Sequence, residues 1–174
     1  MTAPTVSPGA ARQGSADLLR SVFRRHAAGV AVITAAGPER PVGFTATSLS
    51  SVAADPPLLS FSVGTGSSSW PVLSGAEHVG VHVLGEDQGE LAGLFARSGA
   101  DRFGPGTSWR PGPEGVPVLD GVLAWLVCRV VAKVPAAEHR LVLAEVVAGS
   151  PEGPAGSSGR PLLYHGGRFN ALRD

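Results

Sequence analysis

Between residues 15 and 27, Ala16, Leu18, Leu19, Val22, Phe23 and Ala27 recur at the spacing of one helical face, and Ser15 stands where an N-cap belongs. Gly29 closes that pattern. The period then changes. β-Branched runs at 30–35, 42–46, 49–52 and 58–63 are divided by Gly37-Pro38 and Asp55-Pro56-Pro57, the grammar of antiparallel strands joined by turns. A short helix is expected at 71–73, a strand at 78–84, and a second helix at 88–97 with Leu91, Leu94 and Phe95 on one face. Residues 103–116 are rich in Gly and Pro and carry no period, which predicts a long irregular loop of the kind that often covers a site. Two longer apolar runs follow, 122–134 and 141–148, joined by Pro135-Ala136-Ala137-Glu138-His139; each is expected to be a strand buried on both faces or bent by a bulge. The Gly/Ser/Pro stretch 150–159 reads as disordered and 161–165 as a last strand. Helices do not regularly separate these strands. The order therefore predicts a mainly β fold, an antiparallel barrel with a few flanking helices rather than a doubly wound sheet.

With 174 residues the chain fits one domain, expected over 15–172 behind a disordered tail at 1–14. The formal net charge is zero, which gives no electrostatic footprint for nucleic acid or an anionic membrane. Cys128 is the only cysteine, so no intrachain disulfide can form, and no run is long and apolar enough to cross a bilayer. A cytoplasmic location is the expectation.

Chemistry gathers in two places. Gly64-Thr65-Gly66-Ser67-Ser68-Ser69-Trp70-Pro71 leads from a predicted strand into a short helix, an arrangement that suits a phosphate ester and that also reads as an ordinary Gly/Ser loop. No Walker A lysine follows, and the acidic residue of a dinucleotide-binding βαβ unit is missing. Gly43-Phe44-Thr45-Ala46-Thr47-Ser48-Leu49-Ser50-Ser51 crowds small hydroxyl residues where two strands join, either a set of donors for a planar heterocycle or a solvated turn. Of the five histidines, His78 and His82 fall on the outer face of one strand without the ligand set that a metal needs, and no metal site is expected. His139 sits in the turn between the two longest strands. Arg102-Phe103 offers a cation for phosphate and a ring beside a planar ligand, or a plain surface arginine. No Gly-x-Ser-x-Gly elbow is present, and Cys128 reads as an inert buried thiol.

In order and spacing these segments resemble the flavin reductase family from Leu18 to Leu172. The likeness runs through Arg24-Arg25-His26-Ala27-Ala28-Gly29-Val30, Gly43-Phe44-Thr45-Ala46-Thr47-Ser48, Asp55-Pro56-Pro57-Leu58-Leu59 and Ala100-Asp101-Arg102-Phe103. It continues in Gly121 to Cys128, His139 to Leu141, and Arg160-Pro161-Leu162-Leu163-Tyr164-His165. The resemblance implies a Greek-key split β-barrel that forms a homodimer, binds FMN or FAD near the subunit interface, reduces it with NADH or NADPH, and supplies reduced flavin to a flavin-dependent monooxygenase. It implies that Thr45, Ala46, Thr47 and Ser48 face the flavin ring and ribityl chain. Ser67, Ser68, Ser69 and Arg102 would then meet the phosphate, with Phe103 and Tyr164 as further contacts and His139 as the catalytic-site residue on the nicotinamide side. Two positions depart from the usual pattern. Ser67-Ser68-Ser69-Trp70 lacks the Arg or Thr often found there, and Glu138-His139-Arg140 has Arg where many members have Thr, either for the extra phosphate of NADPH or facing solvent. The alternatives are a flavin-retaining oxidase or reductase of the pyridoxamine-phosphate-oxidase type and a non-catalytic flavin-binding electron carrier.

Overall fold

A helix opens the described residues. The computed structural model describes residues 8–152 and 159–171, and α1 spans Pro8–Phe23. It begins seven residues before the expected Ser15: Ala10, Ala11, Arg12 and Gln13 are strong helix formers, and Pro8 is tolerated in a first turn. Residues 8–14, expected in the tail, are thus helical, and 1–7 lie outside the described residues. The apolar side chains that gave α1 its period, Leu18, Leu19, Val22 and Phe23, are all exposed.

Twelve strands and two more helices follow: β1 (Ala28–Gly29), β2 (Ala31–Ala35), β3 (Val42–Ala46), β4 (Ser50–Ala54), β5 (Pro57–Gly64), α2 (Trp70–Gly75), β6 (His78–Val83), α3 (Gly89–Ala96), β7 (Trp109–Pro111), β8 (Pro117–Leu119), β9 (Ala124–Ala136), β10 (His139–Ser150), β11 (Leu163–His165) and β12 (Arg168–Asn170). Seven strands form one antiparallel sheet in the order β3-β2-β6-β9-β10-β5-β4, whose ends do not join. The result is a split β-barrel, the expected fold class. The long β9–β10 hairpin bends at register shifts between Leu143 and Ala144 and between Val146 and Ala148, the bulges that its length required.

Alternation along β2 and β5 explains the core. Ile33, Phe61, Val63, Val79, Val81 and Val142 fill the barrel interior, while Val30, Val32, Leu84, Phe95, Leu119 and Leu162 pack a second cluster beneath α3. All five residues of β2 are buried because both its faces are covered. Lys133 fixes the end of α2 by donating to the carbonyls of Ser74 and Ala76, at 2.9 and 3.0 Å.

Three expectations change. The irregular loop at 103–116 contains β7, which pairs with β8 through a 3-10 turn at Pro113–Gly115. That hairpin is tied to the sheet by the Thr34 hydroxyl, which donates to the Pro117 carbonyl at 2.6 Å. His82 is therefore not on an outer face: it is fully buried, because the second face of β6 is covered as well. The last strand starts at Leu163, with Pro161 in an isolated bridge to Gly85, and turns through Gly166 and Gly167 (φ 63 and 85) into β12. Residues 153–158 of the stretch expected to be disordered lie outside the described residues; Ser150 ends β10.

Candidate functional site

The two hydroxyl-rich segments, distant in sequence, meet at one edge of the barrel. Ser69 is buried where the loop after β5 enters α2, and its hydroxyl donates to the Gly43 carbonyl on β3 at 2.8 Å. It makes no cap bond to its own helix. Side-chain bonding between loop and strand therefore organises this segment, rather than the helix start that its sequence suggested. The Ser67 hydroxyl accepts from the Ser69 amide at 3.3 Å, and the Ser67 amide donates to the Gly64 carbonyl at 3.0 Å.

Arg102 reaches this loop from the segment after α3. Its Nη1 donates to the hydroxyls of Ser68 and Ser69 at 3.1 and 3.2 Å, and its Nη2 to the Arg97 carbonyl at 2.7 Å. The buried Nε has no partner, and among the described residues no carboxylate pairs with this guanidinium. Burial presses its pKa downward, the cost of holding a cation without a counter-ion. A cleft of about 120 Å³ opens beside it, lined by Arg40, Pro41, Val42, Ser68, Asp101 and Phe103 among others. An unneutralised guanidinium beside an exposed hydroxyl at the wall of a cleft has the chemistry of an anion site.

On β3 the expected ligand contacts divide. Thr45 spends its hydroxyl on the Ala92 carbonyl of α3 at 2.6 Å, and the Ala46 side chain is in the barrel core, so both side chains are engaged within the protein. The reason is geometric: β3 is covered by α3 on one side and the barrel interior on the other. Thr47 and Ser48, beyond the end of β3, are exposed. The Ser48 hydroxyl accepts from the Ser62 amide at 2.9 Å and so bridges β3 to β5 across the split.

That bridge borders a surface whose Ser60 and Ser62 were not singled out from sequence. Along β5, Leu59, Phe61 and Val63 enter the core, while Ser60, Ser62 and Gly64 alternate onto the other face. Cross-strand pairing sets Ser50 beside Ser60, Leu141 beside Ser62, and His139 beside Gly64. The His139 ring is exposed, its Nε2 3.6 Å from where a Gly64 β-carbon would stand. The small side chains of Ser60, Ser62 and Gly64 thus lie between Ser48 and His139, flanked by Leu141 and close to the loop that Arg102 holds. Period-two alternation in 57–64 was the signal for them.

The last two expected contacts, Phe103 and Tyr164, sit in different parts of the fold. Phe103 packs edge-on between Phe95 and Trp109 in the second core cluster, although it also lines the cleft. Tyr164 belongs to the separate sheet β1-β11-β12, its ring edge-on to Phe169. Among the described residues no group of three or more His, Cys, Asp or Glu is placed to hold a metal ion, and no helix is long and apolar enough to cross a membrane.

The model of the flavin reductase like domain matches residues 23–173 of this chain, from the end of α1 past β12. The chain belongs to the flavin reductase family. It is 43% identical over 150 residues to the NADH:FMN oxidoreductase of Rhodococcus erythropolis, covering 86% of this chain and 78% of that protein. The reductase component of 4-nitrophenol 4-monooxygenase/4-nitrocatechol 2-monooxygenase from Rhodococcus opacus is 37% identical over 150 residues, 86% of this chain and 77% of its own. Among solved structures, the flavin reductase domain protein from Arthrobacter sp. FB24 superposes with a TM-score of 0.84 at 42% identity, covering 91% of this chain and 96% of that one.

A flavin nucleotide of the kind this flavin reductase family handles fits the donors just described. Its phosphate would meet the Arg102 guanidinium, which no carboxylate among the described residues neutralises, and the Ser68 hydroxyl. Ser60, Ser62 and Gly64 on β5 would offer a planar ring a stretch of small side chains, with Leu141 and His139 of β10 beside it.

Proposed function

We propose that this chain is an NAD(P)H-dependent flavin reductase that passes reduced flavin to a separate monooxygenase. The observation that carries the reading is the Arg102 guanidinium: a partly buried cation, bonded to Ser68 and Ser69 beside a cleft, with no carboxylate among the described residues to neutralise it. In this reading Arg102 and Ser68 hold the phosphate, Thr47 and Ser48 lie along the ribityl chain and ring, and His139 orients the nicotinamide. When bound, the flavin supplies the redox chemistry by accepting hydride from reduced nicotinamide. The protein's part is to hold the rings within reach and to exclude water, which needs no strong acid or base on that stretch of β5. The names of relatives, an NADH:FMN oxidoreductase and a monooxygenase reductase component, support the reaction and the partner.

We further propose a homodimer. Leu18, Leu19, Val22 and Phe23 on α1, and Val131, Val134, Leu141 and Val147 on the β9–β10 hairpin, form apolar surface that a single protomer leaves open. Sedimentation giving a monomer at micromolar concentration would end that part of the reading.

The deciding assay is steady-state oxidation of NADH and NADPH with free FMN or FAD supplied. Turnover that saturates in added flavin is the expected result. A protein that purifies with flavin and ignores added flavin, or one that binds flavin without turnover, would overturn it. His139→Ala is expected to raise the Michaelis constant for the nicotinamide more than it weakens flavin binding.

A further inference from the structure

The turn that carries His139 is held in place by a residue on the opposite side of the sheet. Ala137 has φ 51, in the left-handed region that a β-carbon disfavours, so this turn needs support from outside itself. Part of it comes from the loop after β5: the Thr65 amide and hydroxyl both donate to the Glu138 carbonyl, at 2.9 and 3.1 Å. The rest comes from Arg140.

In register, Arg140 lies opposite Val63 and His139 opposite Gly64, so the two side chains leave β10 on opposite faces. The Arg140 Nη1 donates to the carbonyls of His139 and Ala137, at 2.8 and 3.4 Å. Its guanidinium carbon stands 5.9 Å from the centre of the Trp70 ring, within cation–π range. Trp70 directly follows Ser69, whose hydroxyl accepts from Arg102. Packing and hydrogen bonds thus run unbroken from Arg102 through Ser69 and Trp70 to Arg140 and the carbonyls that flank His139. The Arg at this position therefore has partners within the molecule: Nη1 is bonded to its own turn and the guanidinium stands over Trp70.

We propose that Arg140 is a positioning residue for His139, clasping the nicotinamide-side turn to the loop that grips the flavin phosphate. The inference rests on the placement of His139 given above. Arg140 acts on the reaction only through that histidine, and Trp70 is the fixed point against which it works.

The test is a kinetic series on the full chain with NADH and FMN. Arg140→Leu is expected to raise the Michaelis constant for NADH by about fivefold, the loss of one cation–π contact and its hydrogen bonds, with kcat and the flavin dissociation constant held within about twofold. Arg140→Lys, which keeps a cation over Trp70, is expected to recover most of that loss. Because Arg140 acts through His139, the double variant H139A/R140L is expected to be no worse than H139A alone. A wild-type Michaelis constant in R140L, or a double variant as poor as the product of the two singles, would overturn the clasp while leaving the reductase reading intact. If H139A itself leaves the constant unchanged, the placement of His139 fails and the clasp fails with it. Should R140L not fold, Arg140→Gln, which keeps a donor to the carbonyls but no charge, carries the same expectation at smaller size.

Discussion

His82 and Val32 face each other across β6 and β2, with the imidazole Nδ1 3.0 Å from the Val32 carbonyl oxygen. A carbonyl can only accept, so Nδ1 carries the hydrogen and the buried Nε2, which has no partner, is unprotonated. Burial pulls this histidine from 6.5 down to about 4, with Arg110 adding in the same direction against the bond to Val32.

A pH dependence of stability follows. The folded pKa lies below the unfolded one, so the contribution of neutral His82 is complete above pH 6.5 and declines as the pH falls toward 4, where the folded form also takes up the proton. At about 1.4 kcal/mol per unit, some 3 kcal/mol is lost across that window. Denaturant titrations at several pH values should show the slope, and His82→Gln should flatten it; an unchanged slope in the variant would refute the assignment.

Arg102→Ala should weaken FMN binding by about 2 kcal/mol, roughly thirtyfold, the worth of a hydrogen bond to a charged group. Riboflavin, which lacks the phosphate, should bind wild type and variant alike. Fluorescence titration with both ligands checks it, and equal losses for the two would place Arg102 away from the phosphate.

The hydroxyls of Ser68 and Ser69 should separate structure from binding. Ser69→Ala removes a buried donor to Gly43 and should cost about 1–2 kcal/mol of stability, measurable as a lower Tm. Ser68→Ala, at an exposed hydroxyl, should leave the Tm in place and weaken FMN only.

Thr45→Val should lower stability by about 1 kcal/mol through the lost bond to Ala92 and leave the flavin dissociation constant unchanged. A large effect on flavin binding would return Thr45 to the ligand surface.

Much of the barrel was legible because its strands obey a period of two: Leu59, Phe61 and Val63 alternate with Ser60, Ser62 and Gly64, and such alternation permits one register. Where both faces are covered that signal fails, which is why His82 was expected outside. The β7–β8 hairpin was hidden by prolines at 111, 113 and 117, which break any period while still allowing a short edge ribbon. In the site, Ser69 meets Gly43 and Arg102 across long sequence separations that no local pattern encodes. Which hydroxyls are free does not show in sequence: Thr45 and Ser69 look like Thr47 and Ser68 there, and only packing reveals that the first pair is spent on carbonyls.

The unneutralised guanidinium of Arg102 has a bearing on acidified solutions. An arginine stays charged throughout, so any change in its hold must originate in the molecule held. A phosphomonoester such as that of FMN passes from dianion to monoanion near pH 6, whereas the diphosphate bridge of FAD titrates nowhere near there. Mild acid should therefore loosen the mononucleotide and spare the dinucleotide, turning proton concentration into a selector between the two carriers.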